Sequence, residues 1–267
     1  MQYHEFQPNS SLSKYVQTIW AMESENEQDP YPRSLIMPDG IIEIIFYYES
    51  PFFIYQDNIK QLQPEHAAVS MMRKYIEIES TGKTGFIAVR FYPWGAYHFF
   101  NEPICNFLDT TIDGLKLWAD DSKKIIMELK SLYTLEKRFK SVEQFLLNML
   151  IKFQKTETKI EGVVKLIRNT KGILNIDEVC NETGFTKKQL ERKFLPIIGT
   201  TPKIFSRVCR FLNICHHLEE QKGKSLTQLA YDCGYFDQSH FINEFKEFSG
   251  FTPKDFFAKE NIWFAQI

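Results

Sequence analysis

Residues 226–256 read LTQLAYDCGYFDQSHFINEFKEFSGFTPKDF, and residues 176–205 read IDEVCNETGFTKKQLERKFLPIIGTTPKIF. Slid over one another by 50, the two stretches align Ile176 with Leu226, Val179 with Leu229, Cys180 with Ala230, Gly184 with Gly234 and Phe185 with Tyr235. Past the turn the offset is 51, because the later copy has one more residue. Leu190 then meets Phe241, Phe194 meets Phe245, Gly199 meets Gly250, Thr201 meets Thr252, Pro202 meets Pro253 and Phe205 meets Phe256. This is an internal repeat of one supersecondary unit.

Each copy reads as a helix-turn-helix. The first helix has apolar residues three and four apart, with a small side chain (Cys180, Ala230) where another helix must approach closely. A glycine follows (Gly184, Gly234), able to take the positive φ that ends one helix and turns the chain. Thr186 or Asp237 then caps the next helix. That helix buries Leu190 and Phe194, or Phe241 and Phe245. Its other face presents Lys187, Lys188, Glu191 and Arg192 in the first copy and Gln238, Ser239, Ile242 and Asn243 in the second.

A helix in the major groove needs such a face near its N-terminus. Arg192 suits guanine, and Gln238 or Asn243 suits adenine. Ile242 can meet a thymine methyl, and Lys187 and Lys188 suit phosphates. Between the copies, a threonine cap (Thr201) and Pro202 at the first helical position open a further helix. Ile204, Val208, Phe211, Ile214 and Cys215 form its buried stripe. This rod can hold two recognition helices near one turn of DNA apart, about 34 Å.

Outward from the repeat, residues 121–156 show helical spacing at Ile125, Ile126, Leu129 and Leu132, and at Val142, Phe145, Leu146, Met149 and Leu150. That stripe either packs on its own domain or serves homodimerisation. The first 120 residues read as strand-rich. The β-branched and aromatic run 41–48 follows a Pro38-Asp39-Gly40 turn, 86–91 is a second run, and 67–80 has room for further strands. The expected fold class is therefore α+β. A sensor or dimerisation domain spans 1–120 as a small barrel or sandwich, a helical linker spans 121–156, and an all-α DNA-binding domain with two helix-turn-helix units spans 157–267.

Composition agrees with a packed, two-domain chain of 267 residues, 43% hydrophobic and 25% charged. The formal net charge is −2, but it divides unevenly: residues 1–156 carry 16 Lys+Arg against 20 Asp+Glu, and residues 157–259 carry 16 against 13. That allows a basic face in the C-terminal part. No apolar run is long enough to span a membrane, and the N-terminus has no secretion-signal pattern. Five cysteines, Cys105, Cys180, Cys209, Cys215 and Cys233, show no C-x-x-C spacing. Neither a disulfide framework nor a structural zinc is expected, and a cytoplasmic setting is.

The segment 160–259 resembles the DNA-binding domain of AraC/XylS-type transcription regulators, and GYFDQSHFINEFKEFSGFTPKDF (234–256) is close to that family's signature segment. The resemblance implies seven helices and two helix-turn-helix units. It puts Lys188, Glu191 and Arg192 on the base-contacting positions of the first recognition helix, and Gln238, Ser239 and Asn243 on those of the second. Glu191 departs from what DNA favours: it repels phosphate and can only accept from a cytosine amine. Leu12, Tyr15, Val16, Ile19 and Trp20, then Met37 to Gly40 with Glu43, then VRFYPWG (89–95), are similar to a sensor domain of one branch of these regulators. Sensor domains of the wider family are often cupin-like barrels.

Enzymatic readings find little support. His4, His66 and His98 show no metal-ligand spacing, so no metal or other cofactor is expected. Cys105 lies among apolar residues and reads as packing. Candidate effector-binding residues are Asp39, Glu43, Arg90, Trp94 and His98. Arg90 could grip a carboxylate or phosphate, or pair with Glu43 within the fold. Aromatic content suits sugar, aromatic or lipid-like ligands equally. The expected function is sequence-specific transcription regulation on double-stranded DNA, modulated by a small-molecule effector, with RNA polymerase as a partner if the chain activates. The alternative is an effector-free DNA-binding adaptor whose N-terminal domain binds only protein.

Overall fold

The computed structural model describes residues 1–26, 31–57, 59–156, 159–220, 226–257 and 262–263. The expected C-terminal domain therefore begins and ends on residues outside this description (157 and 267).

In chain order the N-terminal strands are β1 (Gln2–Phe6), β2 (Val16–Glu23), β3 (Ser34–Ile36), β4 (Glu43–Tyr47), β5 (Phe52–Gln56), β6 (Ile59–Leu62), β7 (His66–Val69), β8 (Ile76–Ser80), β9 (Gly85–Phe91) and β10 (Thr111–Asp113). The helices are α1 (Gly114–Trp118), α2 (Asp120–Ser131), α3 (Leu135–Phe153), α4 (Ile160–Asn169), α5 (Ile176–Thr183), α6 (Lys187–Ile198), α7 (Pro202–Glu220), α8 (Leu226–Asp232), α9 (Gln238–Ser249) and α10 (Pro253–Phe257), followed by a short strand, β11 (Ile262–Trp263). The expected α+β class is what the structure has: a strand-rich N-terminal part in two sheets, then helices.

One sheet has six strands in the order β1-β2-β9-β4-β7-β10, and the other has five in the order β11-β3-β8-β5-β6. The apolar run at 86–91 is explained by β9 lying inside the first sheet with both faces covered. Ile87, Val89 and Phe91 face one core, shared with Ile125, Ile126 and Leu129 of α2 and Val142, Phe145, Leu146 and Met149 of α3. Phe86 and Ala88 face the other way and pack with Phe52 of the second sheet. The layers are thus helices, six-stranded sheet and five-stranded sheet. The apolar stripe of residues 121–156 is spent on this core, and Met127 and Ile151 are left outside, 73% and 66% exposed.

The helical part has two cores, and each takes in N-terminal residues. Met71 and Trp94 are buried among α4, α5 and α6 with Val163, Val179, Leu190 and Phe194. Leu35 and Met37 are buried with Phe211, Leu229, Phe241, Phe245 and Phe256. The Tyr75 amide donates to the carbonyl of Phe248 at 3.0 Å, and its ring lies 5.4 Å from that of Phe251. β11 pairs in parallel with β3, Ile262 opposite Leu35. Burial of this kind removes apolar area from water on both sides at once, so the two halves pack as one body.

Candidate nucleic-acid interface

The first helix-turn-helix is built from α5 and α6. Asn175 caps α5, and its side chain and that of Glu178 bond reciprocally to each other's backbone amides. Gly184 ends the helix at φ 71°. Thr186 caps α6 in a second reciprocal pair, with Gln189. Such boxes satisfy amides that a helix start leaves without partners. Val179, Leu190 and Phe194 are fully buried, so the helix pair is locked from behind. Lys187, Lys188, Glu191 and Arg192 all stand exposed on the opposite face of α6.

Lys187 has a partner within the unit. Its ammonium lies 2.7 Å from Asp177 at the start of α5, and that hydrogen bond raises its pKa. Both groups are largely in water, so the pair contributes little to stability, but it competes with any phosphate for this lysine. Lys188 and Arg192 are the exposed cations of the same face.

In the second unit Gly234 turns the chain after α8 at φ 76°. Asp237 caps α9 by accepting from the amide of His240 at 2.7 Å. Gln238 accepts from the Thr227 hydroxyl at 2.9 Å, which ties the first residue of α9 to α8. Ser239 and Asn243 are exposed. Ile242, expected on the outer face, is only partly exposed and packs against the second core. Asn243 also lines a groove of about 530 Å³ between the 172–176 turn, α7 and α9.

Sequence reasoning missed the polar network that anchors α9. Glu244 is 3% exposed. It accepts from Arg207 at 2.7 Å, from Arg210 at 3.2 Å and from the Tyr235 hydroxyl at 2.7 Å. Burial, then the charge of Glu244, pushes the Tyr235 phenol up, so it remains a donor. The available signal was a carboxylate beside Phe241, Phe245 and Phe248 on the buried face, with two arginines one helical turn apart on α7.

The effector candidates divide. Arg90 lies 3.5 Å from Asp39 and 3.4 Å from Glu43, and Glu43 also accepts from the Trp20 indole at 2.7 Å. Burial raises the Asp39 carboxyl against the opposing pull of Arg90. Burial works against the charge on Arg90, but Glu43 and Asp39 together hold it above its usual value. Trp94 instead donates its indole N–H to the Lys14 carbonyl at 3.1 Å and stacks on Tyr92 with ring centroids 4.8 Å apart. His98 is buried with its ring 4.3 Å from that of Tyr15. Among the described residues, no group of three or more His, Cys, Asp or Glu could hold a metal ion, and no helix is long and apolar enough to cross a membrane.

Comparison with known proteins matches two segments. A family model described as a helix-turn-helix domain covers residues 179–259, and one described as a domain of unknown function (DUF6597) covers residues 4–113. The chain is 27% identical over 95 residues to the HTH-type transcriptional regulator ArgR of Pseudomonas aeruginosa, covering 36% of this chain and 29% of that protein. It is 28% identical over 82 residues to the HTH-type transcriptional activator RhaS of Escherichia coli O157:H7, covering 31% and 29%. These matches therefore span under a third of the relatives' own length. Among solved structures, ToxT from Vibrio cholerae aligns over 96% of this chain and 98% of its own, with a TM-score of 0.47 and 11% identity.

Proposed function

We propose, from the premise that the C-terminal part of the chain is an AraC-type helix-turn-helix domain, that this protein is a sequence-specific transcription regulator. α6 and α9 read two adjacent major-groove segments of one duplex. The observation that carries this reading is the pair of capped recognition helices, each with its apolar face buried and its polar face in water, and both packed on α7, Phe194 of α6 against Phe205 and Phe245 of α9 against Phe211.

Within that reading Arg192 and Gln238 contact base edges. Lys188 and Lys187 contact phosphate, Lys187 only after leaving Asp177. Glu191 accepts from cytosine, Ser239 and Asn243 add polar contacts, and Ile242 offers an apolar edge. The division of labour follows residues 1–120 for sensing, 121–156 for joining and 157–267 for reading. A small molecule at the N-terminal part modulates the reading, and the packing of Met71, Trp94, Leu35 and Met37 into the helical cores supports such coupling.

The test is selection of bound sequences from a random duplex pool by the full chain, since both helical cores include N-terminal side chains. The expected operator has two blocks about ten base pairs apart. One block, or none, overturns the two-helix reading.

A second reading, an effector-free adaptor, draws on one observation: Arg90 is already answered by two carboxylates. Thermal melting against a broad metabolite set separates the two. A ligand of the native state raises the midpoint, and no response across chemical classes favours the adaptor.

A further inference from the structure

The two helix-turn-helix copies differ in length by one residue, and the structure identifies it. Gly184 and Gly234 hold the same left-handed position. Phe185 and Tyr235, which follow them, both turn inward: Phe185 packs against the first core and Tyr235 is 3% exposed. Thr186 and Asp237 are the N-caps of α6 and α9. In the first copy the cap follows at once. In the second, Phe236 stands in between, and it is 87% exposed.

Its neighbours on both sides are pinned. The Tyr235 amide donates to the Ala230 carbonyl at 2.9 Å, and the Tyr235 hydroxyl donates to buried Glu244 at 2.7 Å. Asp237 accepts from the His240 amide through its side chain at 2.7 Å and from the Phe241 amide through its carbonyl at 3.2 Å. The phenyl ring therefore projects from a fixed turn.

The position of the ring selects its partner. Phe236 precedes Gln238 by two residues, so their Cα atoms lie within about 7 Å. Recognition helices dock with their N-terminal residues on base edges. With Gln238 on a base, a ring held two residues away in the same turn is within reach of the adjoining base pair. A phenyl ring offers no hydrogen bond. The apolar feature of the major groove is the C5-methyl group of thymine.

We infer that Phe236 is a specificity-determining residue that packs on a thymine methyl in the second operator block, a contact the first unit has no residue to make. This rests on the DNA-reading function proposed above. In the test, each thymine of the second block of the selected duplex is replaced in turn by deoxyuridine, which lacks only the methyl. One replacement should weaken the wild-type chain about fourfold, the ratio carried by one buried methyl-sized group. F236A should weaken binding to the parent duplex about tenfold or more, keep the wild-type melting midpoint, and be indifferent to that replacement. F236L should recover part of the loss.

Q238A serves as the control. If Q238A loses affinity while F236A binds like wild type, the inference fails and the DNA-reading function stands. The same holds if F236A keeps its DNA affinity but loses transcriptional output, which would mean a protein partner. If wild type and F236A respond alike to every deoxyuridine, the ring does not touch a methyl and the inference fails. If the wild-type chain selects no duplex, both fall.

Discussion

In the first helix-turn-helix unit, α5 and α6 each begin with a reciprocal capping box, and the outward face of α6 carries Lys187, Lys188, Glu191 and Arg192. In the second, Asp237 alone caps α9, a buried carboxylate ties the helix to α7, and the outward residues are Gln238, Ser239 and Asn243 with Phe236 in the turn. The shared backbone frame needs only a left-handed glycine, a cap and a few apolar side chains. The outward faces are free of that constraint. One has become charged, suited to phosphate and guanine, and the other amide-rich and aromatic, suited to adenine and thymine. The anchors also differ, because only the second unit depends on a buried charge.

The sharpest way to break this contrast is Glu244→Ala. It leaves Arg210 and the Tyr235 hydroxyl without their acceptor and Arg207 with Glu247 alone, at a part-buried site. We expect a loss of about 3 kcal/mol, seen as a lower urea midpoint of the full chain. A loss near that of an exposed pair would mean that the arginines find water freely and that the units are anchored alike.

Next come the reading faces. Arg192→Ala and Gln238→Ala should each cost about 2 kcal/mol at the cognate site, and each should relax preference in a different operator block. If both relax the same block, the two units do not read separate segments.

The turn glycines give a smaller, purely structural comparison. Alanine at either position is forced to positive φ, at a cost of about 1 kcal/mol. At Gly184 a Cβ would meet nothing within 4 Å, whereas at Gly234 it would meet Ile173 at 3.1 Å. Gly234→Ala should therefore lower the thermal midpoint more than Gly184→Ala. The smallest effect belongs to Lys187. Lys187→Ala should leave the thermal midpoint nearly unchanged, because the pair with Asp177 is solvent-exposed. It should weaken binding to all duplexes alike and reduce the salt slope by about one. Asp177→Asn should strengthen non-specific binding by releasing the lysine.

The sites most legible in the sequence were those whose cause is local. Gly184, Gly234, Thr186 and Asp237 act on their own backbone, so residue type and spacing were enough to place them. Residues whose role depends on a distant partner were less legible. Ile242 has the periodicity of an outer face, yet the second core covers part of it. Lys187 has the position of a phosphate contact, yet Asp177, ten residues earlier, holds it. Glu244 was invisible as an anchor because Arg207 and Arg210 lie 37 and 34 residues away along the chain. In the N-terminal part, runs at 41–48 and 86–91 announced strands, but nothing local ordered β2, β9, β4 and β7 side by side. The effector candidates fared likewise: Asp39, Glu43 and Arg90 meet, while Trp94 turns to Lys14 and the helical core.

What the amino-acid order alone determined, then, was the doubled helix-turn-helix frame, because helix stops, caps and apolar spacing act within a few residues. Tertiary structure decided how the frame is held: which charges are neutralised, which apolar faces remain outside, and that Met71, Trp94, Leu35 and Met37 of the N-terminal part complete the helical cores. Those outcomes depend on which surfaces meet across the chain, and burial and ion pairing are properties of that meeting rather than of any single segment.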